Sequence, residues 1–167
     1  MEARTDQAAR DQVLELIKAS RVCMMTTRGA DGRFHGRPMA THHTEFTGDL
    51  WFFTSASSRK VLELDAYPDV GLAYIDTGKQ NYVSITGTGE IVEDEAMVKK
   101  LWAEPLRTWF PKGPDDPDIR LLRVQVESAE YWDAPNNAMV MLFGYLKART
   151  TGQRPDPGKH DQVEFPN

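Results

Sequence analysis

The stretch that most limits what this chain can become is "VCMMTTRGADGRFHGRPMATHH", which begins at Val22. Two strand-like runs flank a link carrying Gly29 and the pair Asp31-Gly32. Asp-Gly reaches left-handed backbone geometry at little steric cost, which is what a tight reversal between antiparallel strands requires. An early hairpin commits the chain to an antiparallel sheet, and the rest of the sequence has to supply strands that complete it.

It does so in sequence order. Ala9, Val13, Leu16 and Ile17 recur at helical spacing within residues 6–20, with Thr5 or Asp6 placed to cap a helix there. After the hairpin comes a third strand over about 49–54, then a helix to about Ala66, then a strand in "YPDVGLAYID" opened by a proline turn. "NYVSITGTGEIVED" reads as a long strand in which Gly87 and Gly89 mark a bulge or a close backbone approach. "DEAMVKKLWAE" returns to helical spacing with Asp94 as its cap. "PLRTWFPKGPDDPD" is a proline-, glycine- and aspartate-rich loop, "IRLLRVQVESAEYWDAP" a strand, and "NNAMVMLFGYLKART" a last helix. Residues 1–150 then form one domain, and 151–167 a polar, loosely attached tail. Hairpin-linked strands with interspersed helices predict a mainly β fold with flanking helices, its antiparallel sheet of about six strands forming a small barrel.

Charge and composition remove several function classes. Twenty basic residues against 25 acidic ones leave a net charge of −5, which argues against nucleic acid as a partner. No apolar run approaches the roughly 20 residues of a membrane helix, and the N-terminus carries no signal-peptide core, so neither a membrane nor export is expected. The one cysteine, Cys23, lies in an apolar strand and reads as core in a reducing, cytoplasmic compartment. His42 and His43 are adjacent on a strand and face opposite ways, and His35 is too far from His43 to share an ion, so no metal site is expected. Gly87-Thr88-Gly89 runs on into a strand, which rules out the dinucleotide fingerprint.

The most informative joint is "LWFFTSASSRKVLEL", residues 50–64. A buried strand gives way to small hydroxyl residues and then to two cations in the first turn of a helix. Cations there oppose the helix dipole, unless an anion joins them. A phosphate could accept from the free N–H groups, from the Thr54, Ser57 and Ser58 hydroxyls, and from Arg59 and Lys60. The alternative is solvated charge beside ordinary caps. In "GRPMA", Pro38 removes a ladder donor and places Arg37 and Met39 on one face of an edge or strand end. Trp109-Phe110 either anchors its loop to the core or walls a planar ligand, and Trp132 ends a strand as core packing or as a ligand contact.

In order and spacing, "GRPM", "LWFFTSASSRKVLEL", "YVSITGTGEIVED" and "AEYWDAP" resemble the FMN-binding split-barrel superfamily typified by pyridoxamine 5′-phosphate oxidases. The likeness is nearest to its general stress protein 26 branch and covers about residues 8–150. It implies a six-stranded antiparallel split β-barrel, a homodimer, and FMN, with FAD as the alternative, in grooves between the subunits. It places Arg37, Pro38 and Met39 along the flavin ring, and Phe53 and Thr54 beside the ribityl chain. Ser58, Arg59 and Lys60 then fall at the phosphate, Tyr82 where the oxidase has a ring-contacting glutamine, and Trp132, with Trp109 and Phe110, at the flavin of the partner chain. The segment after Trp132 lacks the oxidase's arginine- and histidine-containing grip on substrate phosphate, so vitamin B6 oxidation is not expected. What remains is a flavin-dependent redox protein of unassigned substrate or a flavin-binding stress protein without turnover.

Overall fold

The Asp31-Gly32 reversal forms as its chemistry requires. Gly32 sits at a φ of 78°, its N–H donates to Gly29 O at 2.9 Å, and Asp31 Oδ1 accepts from the Arg33 N–H. It joins β1 (Val22–Arg28) to β2 (Phe34–Ala40) in antiparallel register. The protein is described here from a computed structural model, which covers residues 7–42, 48–133, 147, 149, 152 and 159–165. The expected caps Thr5 and Asp6, as well as His43, lie outside the described residues; of the helix expected over 136–150, only residues 147 and 149 are described, and both are helical.

The remaining elements are α1 (Gln7–Ser20), β3 (Asp49–Ser55), α2 (Arg59–Ala66), β4 (Asp69–Asp76), β5 (Asn81–Val92), α3 (Glu95–Leu101), β6 (Ile119–Asp133) and β7 (Lys159–Glu164), with short 3-10 turns at Glu104–Thr108 and Gly113–Asp115. Asp94 caps α3 by accepting the Met97 N–H at 2.9 Å. One antiparallel sheet follows the order β2-β1-β4-β5-β6-β3, with β7 added on β6. Among the described residues the two end strands β2 and β3 share no ladder; just beyond β2 an isolated bridge joins His42 to Trp51 of β3, the His42 N–H donating to Trp51 O at 2.8 Å. The sheet curls round without closing, so the fold is a split barrel.

The register shifts between Thr86 and Gly87, and a side chain at Gly87 would come within 2.2 Å of Gln125 O. Only glycine lets β6 pass that close, which bends the long β5–β6 ribbon around the core. Inside lie Leu50, Phe52, Leu72, Tyr74, Ile85, Leu122 and Val124, with α1 packing Val13 and Ile17 against them. Alternate residues Trp51 and Phe53 join a second cluster with Val98, Leu101, Phe110 and Leu121. β3 is therefore buried on both faces, which explains its unbroken apolar run. Cys23 is buried as expected, and burial pushes its thiol up to about 11.

The expected loose tail is corrected in part. Residues 159–164 pair with 128–133 as β7, and Val163 and Phe165 are buried in the main core. Alternating apolar positions in so short a polar segment became visible only once β6 offered an edge to receive them.

Candidate functional site

The split leaves a cleft. β2 contributes Pro38, Met39 and Ala40, β3 contributes Phe53, Thr54 and Ser55, and His42, Val22, Leu106, Trp109 and Phe110 complete walls that enclose about 500 Å³. Ser58 and Lys60 stand at one end. The cavity is thus apolar along its length with a cationic, hydroxyl-bearing terminus.

That terminus is built by the joint between β3 and α2. Lys60 Nζ donates to Thr54 Oγ1 at 2.9 Å and to Ser58 Oγ at 2.7 Å. Ser58 occupies the cap position of α2, but its hydroxyl receives Lys60 and makes no cap bond. Ser57 turns instead to Ser55, their hydroxyl oxygens lying 2.9 Å apart. Lys60 is half-buried. Burial, and next the charge of Arg37, lower its pKa, with Glu63 acting in the opposite sense. A positive charge held at a desolvation cost, beside hydroxyls that still have donor capacity, is suited to an incoming anion.

Arg59 and Arg37 have a different address from the one the sequence suggested. Glu63 on α2 is 4% exposed, and its carboxylate accepts from Thr27 Oγ1 at 2.5 Å, His35 Nδ1 at 2.6 Å, Arg37 Nη2 at 2.8 Å and Arg59 Nε at 3.0 Å. Burial pushes the Glu63 carboxyl up, but the hydrogen bonds and the Arg37 charge outweigh it and hold the group at about 2. Arg59 is mostly exposed and does not line the cleft; Arg37 is tied to Thr27 as well as Glu63. The ionic knot fastens β1 and β2 to the helix that carries Lys60. The i,i+4 spacing of Arg59 and Glu63 was a sequence signal for one of its contacts; the others join residues 26 to 36 positions apart.

The other expected site residues divide. Pro38, Met39, Phe53, Thr54, Ser58, Lys60, Trp109 and Phe110 all meet at the cleft. Phe110 is buried against Phe53 with ring centroids 6.3 Å apart, whereas its neighbour Trp109 is 78% exposed at the rim. One aromatic anchors the loop and the other is presented. Tyr82 and Trp132 are absent from the cleft lining; they are cross-strand partners on the outer sheet face. His42, whose ring meets Phe53 edge-on at 4.9 Å, is a cleft residue that sequence reasoning weighed only as a metal ligand.

The family described as pyridoxamine 5′-phosphate oxidase like matches residues 8–156. The chain is 28% identical over 162 residues to protein bli-3 of Neurospora crassa, covering 91% of this chain and 77% of that one. A structure from Jannaschia sp. CCS1 assigned to general stress protein 26 superposes with a TM-score of 0.76 at 25% identity, over 96% of this chain and all of that one. The general stress FMN/FAD binding protein of Xanthomonas citri gives a TM-score of 0.68 at 29% identity, over 80% of this chain and 92% of that one.

Proposed function

Since the chain belongs to the pyridoxamine 5′-phosphate oxidase like family, we propose that it is an FMN-binding protein of the general stress protein 26 type whose phosphate site is the Lys60 end of the cleft. The observation that carries the reading is Lys60 itself, a half-buried ammonium that donates to the neutral hydroxyls of Thr54 and Ser58, at the end of an apolar slot of flavin size. When bound, the flavin supplies the redox chemistry.

Residues of this chain would hold and orient it. Lys60, Ser58 and Thr54 bind the phosphate, and exposed Arg59 can turn from Glu63 to add a second charge. Pro38 and Met39, with the β2 backbone, line the ring, while the Arg37 guanidinium stays with Glu63 and raises the local positive potential. Phe53, Phe110 and Trp109 bound the slot and exclude water. Exposed Ser57 and Arg59 leave the phosphate end open to solvent, which gives FAD room as the alternative cofactor.

A homodimer completes the assignment. Val22, Met24, Ile75, Tyr82 and Trp132 form an exposed apolar sheet face, and Val22 belongs to the cleft as well. A second copy covering that face would seat Tyr82 and Trp132 near flavin. The substrate is unassigned, oxidation of pyridoxamine phosphate is not part of the function, and the compartment is the reducing cytoplasm.

Purified apoprotein titrated with FMN, riboflavin, FAD and pyridoxal phosphate, followed by flavin fluorescence, tests this. FMN should bind more tightly than riboflavin, by about 10- to 150-fold if one charged hydrogen bond separates them. Equal affinity would sink the phosphate site. Consumption of a reduced nicotinamide by the loaded protein separates a reductase from a binder.

A further inference from the structure

Ile75, Tyr82, Trp132 and His160 are successive cross-strand neighbours on β4, β5, β6 and β7, so their side chains leave the same face of the sheet. At the end of this row the imidazole of His160 lies flat on the Trp132 indole, with centroids 4.7 Å apart and planes 9° from parallel. His160 Nε2 is 3.6 Å from Glu130 Oε2, two residues before Trp132 on the same face. Trp132 remains 37% exposed despite the stack.

We propose that His160 is a positioning residue which holds the Trp132 indole in the orientation it uses against the flavin of a second copy of this chain. The inference rests on the flavin reading above. An unsupported indole at a strand end samples several rotamers, and ordering it on binding costs affinity. Here the ordering is done beforehand by a ring whose own strand is anchored: Val163 and Phe165 are buried, and the Phe165 N–H donates to Glu127 O at 2.8 Å. Stacking fixes the indole plane, and the Glu130 carboxylate lies beside the imidazole. β7 thereby becomes part of the flavin site, although its sequence has the composition of a tail.

The full-length protein carrying His160→Ala, His160→Phe or Trp132→Ala is titrated with FMN and riboflavin, and the visible circular dichroism of bound flavin and the Tm are recorded. His160→Ala should weaken FMN and riboflavin equally, by about three- to tenfold, because the contact is to the ring. It should also alter the flavin dichroism and leave Tm nearly unchanged. His160→Phe, which keeps a stacking ring, should restore both signals. Trp132→Ala should lose at least as much, and the double variant no more. If Trp132→Ala weakens binding while His160→Ala leaves affinity and dichroism as they were, the positioning role is overturned and the flavin reading stands. If FMN binds and neither variant matters, Trp132 is not at the flavin and the proposal falls. If the unsubstituted protein binds no flavin, both fall.

Discussion

Lys60 Nζ lies 2.9 Å from Thr54 Oγ1, so the first turn of α2 is tied back to the end of the strand that precedes it. Arg59, one residue earlier, points to Glu63. Two adjacent cations therefore serve different ends, one facing the cleft and the other completing a buried ionic knot.

The two should be separable by substitution. Lys60→Ala should weaken FMN by about 10- to 150-fold and leave riboflavin almost unaffected. Arg59→Ala should have the smaller effect on FMN, because its guanidinium is exposed and already paired. Dissociation constants for both ligands check this, and an Arg59 effect exceeding that of Lys60 would move the anion site out of the cleft.

Glu63 sets an acid limit on stability. Its folded pKa of about 2 lies below the ordinary value of 4.5, so its contribution is complete above about pH 4.5 and is lost as the pH falls toward 2. The shift corresponds to about 3 kcal/mol. Denaturant unfolding at neutral pH and at about pH 3 should show the loss, and Glu63→Gln should lower neutral stability by about 3 kcal/mol while flattening the acid dependence. An unchanged acid slope in the variant would assign the effect to other carboxylates.

Trp109 and Phe110 should behave as opposites. Phe110→Ala empties a buried position and should cost about 3–5 kcal/mol. Trp109→Ala, at an exposed rim, should change stability by no more than about 0.5 kcal/mol, yet weaken flavin by about three- to tenfold. A Trp109 variant with native affinity would remove it from the ligand wall.

Much of the barrel is written locally. The Asp31-Gly32 hairpin, the Asp94 cap, the Gly87 bulge and the doubly buried β3 each follow from the conformational limits or burial needs of a few neighbouring residues, and the chain alone determined them. Lys60 belongs with these, because Thr54 and Ser58 are within six positions of it. Tertiary structure alone decided which long-range groups meet. Glu63 reads as one more charge on an amphipathic helix until β1 and β2 bring Thr27, His35 and Arg37 against it. Trp132 is left open between core and ligand until β7 lays His160 on its ring. A charged or aromatic side chain has several partners of similar energy within reach, and only the packing of the whole sheet determines which one it meets.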